Sequence, residues 1–288
     1  MNFKKILFSL LLILVTVLFC LFGGIKKFFP NHESQKITQS INGNSQNDTL
    51  LIDCSVPELN ILPDKFSVVV GHAYGSPTLK NEFIASNLEK FFLLNNKKLI
   101  NIFFTGDVFN IPSSRKWEKL FDGLGKSVIY VAPGNHDFYG DRSRKIFYSS
   151  KAYRGDFPYA IEYDGMNIFV DDSVSSKWEL SNKLILEINK KTKPLIVMRH
   201  NPPIHELEKF TNSNEGSGNL IDLLQFDKII NNSNDIIWLF GDGGAFEEMP
   251  RIVCKRYKNH KFIINGLGDL PNDKILIIHE GNLYSYEI

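Results

Sequence analysis

At 288 residues and 43% hydrophobic side chains, the chain can bury a full core, which excludes a wholly disordered protein. Its 33 Lys and Arg stand against 32 Asp and Glu, a formal charge of +1, so no global field draws in a nucleic-acid backbone, and nucleic acid is not an expected partner.

After a short tail, 1–5, the run Ile6 to Phe22 carries no charge and nothing more polar than Ser9, Thr16 and Cys20. As a helix it covers roughly 26 Å, close to a hydrocarbon core once Gly23, Gly24 and Ile25 are added. We expect a transmembrane signal-anchor over 6–25 rather than a cleaved signal peptide, because Leu21-Phe22-Gly23-Gly24 is a poor cleavage site. Lys4 and Lys5 before the span and Lys26 and Lys27 after it nearly balance. So short an N-terminal tail normally stays in the cytoplasm, so the bulk of the chain is expected outside it, periplasmic or extracellular. From Asn31 to Asp48 large apolar residues almost vanish, and 26–60 is expected as a polar tether. The folded domain is expected over 61–288. Cys54 and Cys254 could pair or stand as two buried thiols, and the sequence leaves both open.

Beyond the tether, apolar runs at Phe66 to Val70, Leu99 to Thr105, Ser127 to Ala132, Leu195 to Met198 and Ile236 to Phe240 are continuous, as in strands covered on both faces. Between them Thr78 to Leu94, Ser114 to Leu124, Lys177 to Asn189 and Asn219 to Ile230 have helical spacing. The last third gives consecutive strands near Arg251 to Lys255, Lys261 to Ile264, Lys274 to His279 and Leu283 to Glu287, expected to form a second, more antiparallel sheet. The expected fold class is α/β, with two packed sheets and outer helices.

Polar residues able to bind metal fall where those strands end: Gly71-His72-Ala73-Tyr74-Gly75, Thr105-Gly106-Asp107, Gly134-Asn135-His136-Asp137, Arg199-His200-Asn201-Pro202-Pro203 and Gly241-Asp242-Gly243-Gly244. In an open α/β sheet such loops converge on one crevice. Gly-Asp after a strand is by itself ordinary turn chemistry, and Asp242 can be a turn former. Tyr74 can be a packed aromatic, and His72 can hydrogen-bond a neighbouring loop. His205, in the loop after the prolines, is either structural or substrate-facing. No P-loop, G-x-S-x-G elbow or Cys-x-x-Cys pair occurs, which removes nucleoside-triphosphatase, serine-hydrolase and zinc-ribbon readings.

The order of these motifs resembles the calcineurin-like metallophosphoesterases, which carry D-x-H, G-D, G-N-H-D/E, H and G-H-x-H in turn. The resemblance implies a four-layer αββα sandwich of two mixed β-sheets flanked by helices. It implies divalent metal, manganese, iron or zinc, one ion or two, and water-driven hydrolysis of a phosphate mono- or diester. Asp107, Asn135 and His200 match the ligands of the three central motifs, with His136 as a catalytic, phosphate-contacting or proton-donating residue oriented by Asp137. The outer motifs depart. His72 and Tyr74 stand where aspartate and histidine are usual, and Asp242 and Gly244 replace the two final histidines. The second metal site thus keeps Asp107, Asn135, His200 and Asp242, while the first retains Asp107 with His72 and Tyr74. Asn201 and His205 are candidate substrate contacts beside His136. The expected partner is a phosphorylated small molecule, or an envelope glycan or lipid intermediate. The rival expectation is a catalytically impaired relative serving as a binding or scaffolding module at the membrane.

Overall fold

The computed structural model describes residues 50–79, 81–212 and 218–288. Twelve strands are found among them: β1 (Ile52–Asp53), β2 (Phe66–Val70), β3 (Leu99–Phe104), β4 (Val128–Val131), β5 (Tyr159–Tyr163), β6 (Met166–Val170), β7 (Leu195–Arg199), β8 (Ile236–Phe240), β9 (Ile252–Tyr257), β10 (His260–Asn265), β11 (Lys274–His279) and β12 (Asn282–Glu287). The helices are α1 (Ser86–Asn95), α2 (Ser114–Gly123), α3 (Gly140–Ser149), α4 (Asn182–Lys190), α5 (His205–Glu208) and α6 (Leu223–Ile229).

The strands form a seven-stranded sheet ordered β1-β9-β10-β8-β7-β6-β5 and a five-stranded sheet ordered β12-β11-β2-β3-β4. Both are mixed. β2, β3 and β4 run parallel, as do β6, β7, β8 and β10, whereas β11 pairs antiparallel with β2 and β9 antiparallel with β10. Strand alternation then builds three apolar layers. Val68, Val70, Ile102 and Phe104 face one way, into a core shared with Leu88 and Phe92 of α1, Trp117 of α2 and Phe147 of α3. Val69 and Phe103 face the other way and meet Ile196, Met198, Leu239 and Ile263 of the second sheet. Leu195, Val197, Trp238 and Phe262 turn outward onto Leu184 and Ile188 of α4, Leu207 of α5 and Phe226 of α6. Helices, sheet, sheet, helices is the expected layering.

One expectation is overturned. The last four strands do not make a sheet of their own: β9 and β10 complete the seven-stranded sheet, and β11 and β12 complete the five-stranded one. The cause is pairing across the chain, with Ile264 beside Phe240 and Leu276 beside Val69.

Three helices begin later than their periodicity suggests, among them α6, which starts at Leu223 behind its Asp222 cap. Residues before Ser86 form the site's rim instead, with Ala85 N–H bonded to Ala73 O and Asn81 Nδ2 to Tyr74 O. Ser181 caps α4 by accepting Leu184 N–H, so the helix starts at Asn182. The folded unit also starts earlier than 61. Residues 52–53 pair with β9, Leu59 N–H bonds Ser285 O, and Cys54 is joined to Cys254 with Cα atoms 5.0 Å apart. Among the described residues no helix is long and apolar enough to cross a membrane, and the span expected over 6–25 lies outside them.

Candidate metal centre

Five loops leave the C-terminal ends of β2, β3, β4, β7 and β8 and meet above the two sheets. Backbone hydrogen bonds tie them: His72 N–H to Gly106 O, Ala132 N–H to Phe104 O, and both Gly241 and Asp242 N–H to His200 O. The turn at 106–107 is strained, since Gly106 has φ +97° and Asp107, which has a Cβ, φ +56°. A side chain on Gly106 would place its Cβ 2.5 Å from His200 Nδ1, and one on Gly134 would run into the Asp107 carboxylate. These glycines let three strand ends close on one another.

His200, fully buried, stands at the centre. Its Nδ1–H donates to Thr105 O at 2.9 Å, which turns Nε2 toward Asn135 Oδ1 at 2.9 Å, Asp107 Oδ2 at 3.5 Å and Asp242 Oδ1 at 4.0 Å. Both nitrogens of the ring face oxygen atoms, an arrangement that favours its protonated form. Burial works against that charge, but Asp107 and then Asp242 outweigh it and raise the pKa above the ordinary value. Burial likewise acts to raise Asp107, yet His200 leads a group of histidines that hold it below the usual carboxylate range. Burial pushes Asp242 up to about 6, against the pull of His200.

Asp242 is aimed by Asn201, whose Nδ2 donates to its Oδ2 at 3.1 Å. Asn201 is itself fixed by Ser173, whose hydroxyl accepts Asn201 N–H at 3.0 Å and donates to its Oδ1 at 3.3 Å. The carboxamide expected at the substrate is therefore committed to the protein. The Ser173 loop is in turn gripped by Arg199, which pairs with Asp171 at 2.9 Å and donates to Trp178 O and Glu179 O. Ser173, Asp171 and Arg199 were not singled out in the sequence; the only signal there is an arginine at the end of a buried strand.

Asp137 departs from its expected role. Its carboxylate accepts the N–H groups of Asp107, Val108 and Gly134 at 2.8 to 3.2 Å and makes no hydrogen bond to His136. Burial and then the neighbouring Asp107 push it up to about 7. What orients His136 is Asn110 O, 3.0 Å from Nδ1, together with the Tyr74 hydroxyl, 3.4 Å from Nε2. His136 is half-buried and Asn135 exposed, so the centre opens to solvent on their side.

On the opposite flank, His72 Nδ1 faces Leu267 O at 3.3 Å and Nε2 faces Asp107 Oδ2 at 3.9 Å, with burial lowering its pKa to about 4. Tyr74 is turned toward His136, and burial raises its pKa far enough to keep it a phenol. The backbone at Gly244 sits against Gly266 O, which leaves no room for a side chain. His205 heads α5 at the surface and touches none of these groups.

Metal donors of one ion at about 2.1 Å stand about 3.0 to 4.2 Å apart for right-angled to opposed ligands. The three separations from His200 Nε2 match that span to within 0.1 Å. No group of three or more His, Cys, Asp or Glu among the described residues forms a ready cage by itself. The donor chemistry nonetheless fits a divalent cation. Two buried carboxylates, Asp107 and Asp242, face the His200 ring, and burial pushes Asp242 up, a penalty that a bound cation would relieve.

The calcineurin-like phosphoesterase profile matches residues 85–244, more than half of the chain. No curated protein matches the sequence. Among solved structures, the purple acid phosphatase of yellow lupin (Lupinus luteus) seeds is 12% identical with a TM-score of 0.45, over 81% of this chain and 55% of that one. This chain thus spans about half the length of that relative. A Thermus thermophilus protein is 13% identical at 0.43, over 78% of this chain and 99% of its own. The 5'-nucleotidase of Candida albicans is 11% identical at 0.34, over 77% and 49%.

Proposed function

Because this chain belongs to the calcineurin-like phosphoesterase family, we propose that it is a metal-dependent phosphoesterase hydrolysing a phosphate mono- or diester with metal-activated water. The observation that carries this reading is the convergence of Asp107, Asn135 and Asp242 on His200 Nε2. These four side chains would hold the ion, with His72 beside Asp107 as a further donor. Manganese, iron or zinc suits carboxylate, imidazole and amide oxygen, and one such ion polarises a phosphoryl oxygen and lowers the pKa of coordinated water.

The chain's own groups supply the rest. Asn110 O fixes the Nδ1–H tautomer of His136, and the Tyr74 hydroxyl stands ready to donate to Nε2. With a second proton on Nε2, beside the Tyr74 hydroxyl, His136 would offer it to the leaving oxygen at the open edge of the site. Asp137 acts as a positioning residue, pinning the 107 and 134 loops through their N–H groups.

The substrate is a phosphorylated small molecule or an envelope glycan or lipid intermediate. The Cys54–Cys254 bond supports an extracytoplasmic placement, since such bonds persist in oxidising compartments. Membrane anchoring rests on the apolar run at 6–25 alone.

The purified protein, loaded with manganese, iron or zinc in turn, should hydrolyse 4-nitrophenyl phosphate or its bis ester, and Asp107→Asn should abolish turnover. No turnover with any of the three metals refutes the reading. A non-catalytic binding or scaffolding module is the second reading, favoured by Tyr74 facing His136 and by the bare backbone at Gly244. It predicts a folded protein that takes up no metal.

A further inference from the structure

Beside the metal centre lies an open cleft of about 660 Å³, lined in part by Phe83, Asn110, Ile111, Arg115, Lys116 and Lys119. Each wall is one hydrogen bond from a residue assigned above to the leaving oxygen. Asn110 O holds His136 Nδ1 at 3.0 Å, and Asn81, also in the lining, donates to Tyr74 O at 2.8 Å. The cleft therefore begins where a departing group would emerge.

Its charge is one-sided. Three cations line it against a single carboxylate, Glu82, so the lining carries +2 from +3 and −1. Lys119 is paired with Glu89 at 2.9 Å and lies 3.8 Å from the centroid of Phe83. Lys116 Nζ donates to Ile111 O at 2.7 Å. Arg115, exposed on the first turn of α2, has no ion pair or hydrogen bond among the described residues. The floor is apolar: Phe83 stacks on Phe109 at 5.5 Å, and Ile111 is 72% exposed. A free planar cation in the lining of a partly apolar cleft suits a ligand with a hydrophobic body and an anionic end.

We propose that this cleft is a leaving-group subsite, and that the substrate is a phosphate ester whose leaving group has an apolar body and a second negative charge, met by Arg115. The assignment of the cleft to the leaving group rests on the phosphoesterase reading. In that reaction water oxygen adds to phosphorus, the ester P–O bond breaks, and the leaving oxygen takes a proton, so ester and water become alcohol and phosphate.

The test is calorimetric binding of phenylphosphonate and 4-carboxyphenylphosphonate to the manganese-loaded full chain, neither of which can be hydrolysed. The wild type should prefer the carboxylated ligand roughly three- to fivefold, the range for one exposed charge pair. In Arg115→Gln that preference should fall to about one, and Arg115→Lys should keep part of it. Circular dichroism checks that the exposed substitution leaves the fold intact. Equal affinities in the wild type, an unchanged preference in Arg115→Gln, or no binding of either ligand overturns the subsite. Turnover of phenyl and 4-carboxyphenyl phosphate is read separately. If neither is hydrolysed while the Arg115-dependent preference holds, the phosphoesterase reading falls and the anion site stands.

Discussion

Arg199→Met tests how much the ion pair buried behind the metal centre stabilises the fold. Arg199 is fully buried, with Nε 2.9 Å from Asp171 Oδ2 and its terminal nitrogen donating to Trp178 O at 3.0 Å and Glu179 O at 2.9 Å. The Nε contact is close but off the line of a straight hydrogen bond, and Nη1 has no partner, so the pair is not ideally satisfied. Burial already raises the Asp171 pKa despite the opposing pull of Arg199. Removing the guanidinium strands a buried carboxylate and two carbonyls, a loss of about 3–5 kcal/mol. For a folded unit of this size that lowers Tm by roughly 10 °C. The double variant Arg199→Met with Asp171→Leu removes both charges and should recover most of the loss. Urea unfolding of the wild type, Arg199→Met, Asp171→Leu and the double variant, with m-values compared, gives the cycle. A single variant costing less than about 1 kcal/mol, or a double variant no better than the single, would refute the reasoning.

Three further outcomes follow from particular contacts. His260 accepts a hydrogen bond from Trp238 Nε1 at 3.2 Å, and burial lowers its pKa to about 4. Its folded pKa lies below the unfolded value near 6.5, so the unfolded state binds the extra proton and stability falls between pH 6.5 and about 4, by about 3 kcal/mol in all. His260→Asn can keep an acceptor for Trp238, and its urea midpoint should depend less on pH across that window than the wild type's. The Cys54–Cys254 bond closes a loop of 200 residues, so the double serine variant should lose up to about 5 kcal/mol by chain entropy, read in urea without reductant. Gly134→Ala would push a Cβ onto the Asp107 carboxylate and should weaken manganese binding at least roughly tenfold in competition with a chelating dye, as loss of outer-sphere support does.

The strands that carry the centre were readable because both faces of each are covered. Phe66 to Val70 and Ile236 to Phe240 are continuous apolar runs, and the structure gives those bounds. Membership of a sheet was not readable. Ile263 and Leu276 lie in similar runs, yet they sit in different sheets, because pairing is decided by partners far along the chain. The β5–β6 hairpin passed unnoticed although Asp164-Gly165, at φ +52° and +76°, is a strong two-residue turn signal. Helix starts failed where loop groups had a better use, as with the Asn81 side chain and the Trp178 carbonyl. The donors around His200 followed from motif order. Their supports did not, because Ser173 and Asp171 stand 28 residues before the groups they hold and belong to no motif.

Apart from Asp242, which faces His200, the departures from the family's motifs fall on one side of the centre. Tyr74 is engaged with His136, His72 is held neutral by burial, and the backbone at Gly244 is packed too tightly against Gly266 to carry a histidine. A reversal at Gly244 alone would therefore collide with the loop rather than restore a ligand. On the other side the groups around His200 are locked by backbone carbonyls, by Asn201 and, behind Asn201, by a buried ion pair. The two carboxylates nearest His200 are each part of the same charge balance. Removing either takes away one of the two charges that favour the protonated ring, so the His200 pKa would fall.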